Sequence, residues 1–512
     1  MTPHAPAGVP RRPGSGAALR MFRILGTFIL AFIAARCGPP GPVDESQGLS
    51  QADESQGLSQ ADSLATWYAL GLGAHHLCGG VWVVGRDLER PPEQVVEEDI
   101  ARFPAFRWQD DFSWSLEEDP PTAVVEAPGV GVRRARYTGD QGCVILPVGA
   151  EDVHFHPIPV TPELPAAAEQ AWPTGDRDAE ARLDDAIHDA LEAVLDWAFD
   201  DAGLQTPQHT RGLVALQGGR IVAERYAPGW GPYTPQLSWS MGKSVAAALT
   251  GILVGEEAFA LEDPAPVPYW RGERDPRREI RVQDLLQMSS GLDFNNFGLI
   301  ADRSYTADNE HFRIYFDAVD VAAHSVHHPL RHPPGTVWRY RNSDPLTLMY
   351  LARRWVEARG EEMLTFPQRR LFDPIGVRSM VLETDAWGNA IITGYDYGGS
   401  RDWARFGLLH LWDGVWEGER ILPAGWVDFV RSPAPGHPSL GYGGQFWLNR
   451  GGAMPRLPED AYWAAGFMGQ YTLIIPSRDL VVVRQGPSPG GAGGYFEELV
   501  VRILEALDGD GS

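Results

Sequence analysis

Large apolar residues fall at Val245, Leu249, Ile252 and Leu253, directly after the segment Ser240-Met241-Gly242-Lys243. Separations of three and four residues put them on one helix face, and Ala246-Ala247-Ala248 adds no polar group between them, which is the spacing of a buried helix. Such a helix must be covered by other layers of the chain. Ser240 opens it, so the hydroxyl and the amine of Lys243, three positions apart, share a face and can meet. The unpaired N–H groups of the first turn favour negative charge at the same point.

Lys243 is the only lysine among 43 basic side chains, the rest being arginine. A guanidinium stays protonated in a folded protein, so the single ammonium marks a place where proton loss is needed. A lysine with an ordinary pKa near ~10.4 must have it lowered by about 3, roughly 4 kcal/mol, to be neutral at pH 7, which burial can supply. Arginine would need a lowering of more than ~5, about 7 kcal/mol. Lys243 therefore reads as a base and Ser240 as the hydroxyl it serves.

From Trp172 to Arg484 the chain resembles the serine β-lactamase and penicillin-binding protein superfamily, in particular the class C β-lactamase-related and 6-aminohexanoate-dimer hydrolases. The resemblance is carried by Trp239-Ser240-Met241-Gly242-Lys243-Ser244, Leu285-Leu286-Gln287-Met288-Ser289-Ser290-Gly291-Leu292, Pro334-Gly335-Thr336-Val337-Trp338-Arg339-Tyr340 and Arg401-Asp402-Trp403-Ala404-Arg405-Phe406-Gly407. It implies a Tyr-x-Asn-like element, which Tyr340-Arg341-Asn342 supplies, with Tyr340 passing protons between serine, leaving group and water. It also implies a pocket strand that normally reads Lys-Thr-Gly or His-x-Gly. The matching segment is Gly466-Phe467-Met468-Gly469-Gln470-Tyr471, where Phe467 stands in place of the cation that would grip a substrate carboxylate. Neutral esters or amides are thus expected rather than penicillins. The strand can still present the Gln470 N–H beside that of Ser240 as an oxyanion hole, with Gly469 allowing close approach.

The coarse architecture is α/β (α+β), an antiparallel sheet flanked by helices plus a mostly helical subdomain, which matches the β-lactamase/transpeptidase-like fold that the resemblance implies. Leu183, Ile187, Leu191, Val194 and Ala198 form one amphipathic stripe. Hairpins are expected at Leu213–Leu216 with Ile221–Tyr226 and at Tyr471–Ile475 with Leu480–Val483, and a last helix at about Phe496–Leu507. The hydrolase domain is placed at 178–510, after a linker at 161–177. Residues 64–160 are expected to form a small β-rich N-terminal region with short strands at Val81–Val84 and Val144–Pro147.

The N-terminal segment 1–36 reads as a leader, because an apolar run of twelve residues, Ile24 to Ala35, follows Arg20 and Arg23. The run is short for a bilayer span, so export to the periplasm or outside the cell is expected. Cys37, just after it, could carry a lipid and anchor the chain to a membrane. The tandem nine-residue repeat Asp44–Ala52 and Asp53–Ala61 makes 37–63 a flexible tether. Cys78 and Cys143 then remain as a pair that an exported protein could join. His75, His76, His154 and His156 accompany these cysteines without zinc spacing, and His324, His327, His328 and His332 read as solvated loop residues, so neither metal nor cofactor is expected.

A net charge of -25 opposes nucleic-acid binding. A glycine-rich phosphate loop is absent from the sequence. The expected partner is a small ester or amide, hydrolysed through an acyl-enzyme on Ser240. A non-catalytic envelope sensor with the same fold is the alternative, kept open by Phe467.

Overall fold

The computed structural model describes residues 60–103, 111–296, 309–489 and 491–509, all within one compact unit bounded by Ser55 and Ser512. The leader, Cys37 and the tandem repeat as far as Ser59 lie outside the described residues. Among the described residues no helix is long and apolar enough to cross a membrane.

Six antiparallel strands form the main sheet, in the order Trp447–Leu448, Tyr462–Gly466, Gln470–Ile475, Leu480–Gln485, Gly212–Gln217 and Arg220–Tyr226. The two expected hairpins are its adjacent strand pairs, and the strand from the C-terminal hairpin closes against the N-terminal one, Val482 opposite Ala215. Side chains alternate between faces as a pleated strand requires. Leu213 and Ala215 pack with Leu191, Leu195, Phe496 and Leu499 of the terminal helices Asp185–Phe199 and Gly493–Asp508. Val214 and Leu216 face the opposite core, which holds Val245, Leu249 and Ile252 of the serine helix Gly242–Gly255 together with Trp403 and Phe406 of the helix Ser400–Leu411. The strands are therefore buried on both faces, which explains their almost continuous apolar sequence.

The middle of the chain supplies the helical subdomain, with helices Val282–Leu286, Glu310–Phe316, Val321–His327 and Ser343–Glu357. The serine helix lies between this subdomain and the sheet, and every residue from Gly242 to Leu253 is buried. Gly251 allows a close approach, since a Cβ there would sit 2.6 Å from the Trp426 ring.

The N-terminal region departs from the expectation in two places. Gln60–Ser63, read as the end of the tether, begin a 19-residue helix, Gln60–Cys78. Val81–Val84, read as a strand, continue that helix as wide and then tight helical turns, Gly79–Val83 and Val84–Arg86. A short apolar run fits a buried strand and a buried helix segment equally, and here the preceding helix decides. The strand content comes from Ser113–Glu118, Pro121–Ala127, Gly131–Tyr137 and Cys143–Ile145, paired in sequence order. Tyr68, Leu70, Leu72 and Leu77 share a core with Phe312, Phe316, Tyr395 and Tyr397 of the later chain. A Cβ on Gly79 would meet the Tyr397 hydroxyl at 2.1 Å. Within 161–177, read as a linker, Trp172 is buried in the main core and donates its indole N–H to the Gly219 carbonyl at 2.6 Å.

A disulfide joins Cys78 to Cys143 across 65 residues, with Cα atoms 6.0 Å apart. It ties the helix Gln60–Cys78 to the last strand of the small sheet. Closing a loop of that length restricts the unfolded chain by about 4 kcal/mol. The double variant Cys78→Ala/Cys143→Ala should lose about 2–4 kcal/mol in a urea titration, and an unchanged midpoint would show that the bond does not constrain the unfolded chain.

Candidate active site

Ser240 sits in a tight helical turn, Trp239–Met241, that runs directly into the helix Gly242–Gly255. Trp239 immediately before it has φ +54°, a left-handed conformation that costs a bulky residue about 1–3 kcal/mol and persists only where surrounding contacts impose it. Those contacts are visible. His76, Phe103, Tyr395 and Phe467 surround the indole at centroid distances of 5.4, 5.6, 5.7 and 5.6 Å. Just upstream, the Ser238 N–H donates to the Asp396 carbonyl at 2.8 Å, and Trp403 Nε1 donates to Ser238 Oγ at 2.8 Å. Gly466 on the sheet admits this turn, because a Cβ there would lie 2.0 Å from the Ser238 carbonyl oxygen. Ser240 itself is only half-buried and can be reached.

Lys243 Nζ donates to Ser240 Oγ at 2.9 Å and to the Thr393 carbonyl at 2.7 Å, and Ser240 Oγ lies 3.3 Å from the same carbonyl. The side chain is 1% exposed. Burial holds its amine well below the ordinary lysine range, while the charge of Asp396 pulls in the other direction. Asp396 is itself fully buried, and burial pushes its carboxyl well above the usual range against the influence of Lys243. Both directions favour a neutral amine beside a protonated acid. The carboxyl lies so close to the serine helix that a Cβ on Gly242 would be 2.2 Å from Asp396 Oδ1.

Tyr340 reaches the same serine from the helical subdomain. Its phenol is hydrogen-bonded to Ser240, which lowers its pKa, but burial dominates and raises it. Lys243 Nζ is 4.9 Å from the ring centroid, and the ring stacks on Trp447 at 5.6 Å. The segment is pinned by the Arg339 N–H donating to the Met288 carbonyl at 3.0 Å, and by Arg341 donating to the Leu292 carbonyl at 2.7 Å. Both partners belong to the Leu285–Leu292 segment that carried part of the resemblance. Asp344 locks the corner by accepting from Ser290 Oγ at 2.7 Å, its carboxyl raised by burial to about 6.

Asn342 is placed one layer back. Its Nδ2 donates to Tyr315 Oη at 2.9 Å and contacts His311 Nδ1 at 3.0 Å, so its amide hydrogens are used within the protein. His311 is kept neutral, its pKa lowered to about 3 by burial and by Lys243. Tyr315 Oη donates in turn to Thr393 Oγ1 at 3.0 Å, behind the carbonyl that receives Lys243.

Gln470 begins the strand after the turn Phe467-Met468-Gly469, and Met468 and Gly469 have φ +58° and +83°. The Gln470 side chain bonds Gly486 in both directions, 2.8 and 3.0 Å, leaving the backbone of this strand end beside the serine turn. Arg484 fixes the turn from behind, donating to the Gly469 carbonyl at 2.7 Å. Phe467 is 39% exposed at the rim and contacts Phe103 at 5.5 Å. A cavity of about 50 Å³ adjoins the site, lined by Trp239, Gln470, His76, Trp230 and Asp99 among others. The arginine in its lining, Arg211, is paired with Glu98 at 2.9 Å and Asp99 at 2.6 Å, so it offers no free cation in place of the one Phe467 lacks.

The sequence reading missed Thr393, Asp396, Tyr315 and His311. Thr393 acts through a backbone carbonyl, which leaves no signal. Asp396 left one, a lone acid between Tyr395 and Tyr397 in an otherwise apolar stretch. The histidines also divide differently from the expectation. His75 lies 2.8 Å from Glu383 and stacks on Tyr395 at 3.8 Å, and His154 packs on Trp387. His324 and His328, read as solvated, are half-buried at the helix Val321–His327, because that helix turns their face toward Glu310 and Phe294.

A family model for beta-lactamases matches residues 201–488, and the chain belongs to that family. A 6-aminohexanoate-dimer hydrolase of Paenarthrobacter ureafaciens is 25% identical over 366 residues, which are 68% of this chain and 84% of the relative. A Bacillus anthracis structure named as a candidate 6-aminohexanoate-dimer hydrolase superposes with a TM-score of 0.50 at 21% identity, over 61% of this chain and 82% of that one. A penicillin-binding protein homologue of Caulobacter crescentus gives a TM-score of 0.47 at 16% identity, over 64% and 98%. The chain is thus a hydrolase with the β-lactamase fold.

The buried amine has a consequence for stability. A base whose pKa is lowered on folding binds more protons unfolded than folded, so it weakens the fold at neutral pH, and the penalty fades as pH approaches ~10.4. Lys243→Met should therefore raise the urea midpoint at pH 7, with the gain over wild type shrinking toward pH ~10. Equal midpoints at pH 7 would show that the amine is not held neutral.

Proposed function

We propose that the protein hydrolyses neutral esters or amides through an acyl-enzyme on Ser240. The observation that carries this reading is the 2.9 Å contact between Lys243 Nζ and Ser240 Oγ at an amine only 1% exposed. A neutral amine takes the hydroxyl proton as Oγ bonds to the substrate carbonyl carbon, and the carbonyl electron pair moves onto its oxygen. The N–H groups of Ser240 and Gln470 receive that oxyanion, each donor contributing about 3 kcal/mol. As the intermediate collapses, the bond to the alcohol or amine breaks, and the leaving group takes the proton from Lys243 by way of the Tyr340 phenol. Water then attacks the acyl carbon, gives its proton to Lys243 through the same phenol, and the acid departs as Ser240 regains its hydrogen.

The rim argues for an uncharged acyl group. Phe467, backed by the buried rings of Phe103 and Trp239, gives it aromatic character, and Arg211 is paired with Glu98 and Asp99, which it shares with Arg90. The relative named for the 6-aminohexanoate dimer makes short linear amides one arm of a substrate panel, beside nitrophenyl esters and a chromogenic cephalosporin. No observation favours a sensor without turnover. Export belongs to the same proposal, supported by the Cys78–Cys143 disulfide, which suits an oxidising compartment. Attachment through Cys37 is tested by fractionation of wild type against Cys37→Ser.

A fluorophosphonate probe followed by peptide mass spectrometry should label Ser240. Ser240→Ala should lose the label and about 10⁴-fold or more of kcat, and Lys243→Arg about 10²–10⁴-fold. Labelling at another serine in active protein, or full activity in Lys243→Arg, would overturn the assignment.

A further inference from the structure

Away from the serine, Glu310, His324 and His328 converge so that one ligand-type atom from each lies within 4.8 Å of the others. Glu310 opens the helix Glu310–Phe316, His324 lies on the helix Val321–His327, and His328 caps it. The two histidines are four residues apart and share a helix face, with ring centroids 4.8 Å apart. His324 Nε2 is 2.5 Å from Glu310 Oε2.

An ordinary ion pair would account for Glu310 and His324 but not for His328. The Nε2 of His328 is buried without a hydrogen-bond partner among the described residues, which is unfavourable if nothing else occupies the space. His328 also makes a backbone hydrogen bond with Asp293. A ring held to a backbone group through one nitrogen and presenting the other is the usual posture of a metal-ligating histidine. Phe294 walls the cluster, edge-on to His324 at 6.2 Å and to His328 at 5.0 Å. Asp293 lies near His328 and is itself paired with Arg331 at 3.0 Å, while Arg313 places a positive charge near Glu310.

We infer that Glu310, His324 and His328 form a Zn²⁺ site, with water completing four-coordination. Two imidazoles and one carboxylate suit zinc's preference for nitrogen and oxygen donors at about 2.0–2.2 Å. The ion clips together two helices, Glu310–Phe316 and Val321–His327. The first of these also carries His311 and Tyr315, which hold Asn342 and Thr393 behind the serine site. Its role is structural support of that wall, and the chemistry proposed at Ser240 does not require it.

The test uses the full-length protein stripped with a chelator and dialysed, then titrated with Zn²⁺ against a chromophoric competitor. Wild type should bind one ion per chain, and Co²⁺ at the same site should show the intense visible absorption of a four-coordinate centre. Removing even an outer partner of a metal ligand costs about 10–100-fold in affinity, so His324→Ala and His328→Ala should each weaken binding by more than about tenfold. His327→Ala, on the exposed side of the same helix, should bind like wild type. Zn²⁺ should raise the Tm of wild type and of His327→Ala alone. If an alanine variant fails to fold, Glu310→Gln, close in shape, decides, with the same weakening expected. Absence of stoichiometric binding by wild type, or equal affinity in wild type and folded ligand variants, would overturn the site.

Discussion

The arrangement depends on burying one amine beside one hydroxyl. An ammonium left in water keeps its ordinary pKa, and only one stripped of solvent is drawn toward the neutral form that the proposed chemistry at Ser240 needs. The chain achieves this by wrapping the serine helix on every side, with the sheet and the helix Ser400–Leu411 on one flank and the helical subdomain on the other. What solvent would have supplied is replaced by two fixed partners, Ser240 Oγ and the Thr393 carbonyl, with Asp396 nearby. Asp396 can lie so close because burial favours its protonated form.

The N-terminal region acts on the same spot. Its helix Gln60–Cys78 brings His76 against Trp239, and Phe103 adds a second ring, so the strained backbone preceding Ser240 is held by residues far from it in sequence. The same residues, with Phe467, give the rim its aromatic character. The region is therefore a wall of the site as well as a companion to the hydrolase core, and the disulfide keeps that wall attached to its own small sheet.

The parts of the fold legible in the sequence are those whose signal is local. The hairpin around Gly218-Gly219 and the one around Pro476-Ser477-Arg478-Asp479 carried alternating or continuous apolar runs on either side of turn residues, and both appear as adjacent strands. The strand expected at Val81–Val84 failed because four apolar residues do not distinguish helix from strand without their neighbours. Within the site, Ser240 and Lys243 were legible because three residues of helix bring them together whatever the rest of the chain does. Asn342 fitted a pattern in sequence, yet its amide is spent on Tyr315 and His311 from a helix that no local rule connects to it.

By itself the sequence determined the serine, the lysine and their spacing, because helical geometry is a property of adjacent residues. It also favours a lysine over an arginine for the proposed role there, since guanidinium is not neutralised by any ordinary burial. Tertiary structure alone decided that Tyr340 meets the same oxygen, that the Thr393 carbonyl receives the amine with Asp396 nearby, and that Glu310 joins His324 and His328. Those contacts span tens to hundreds of residues, and the packing of separate layers, which local periodicity does not encode, sets which distant groups share a pocket.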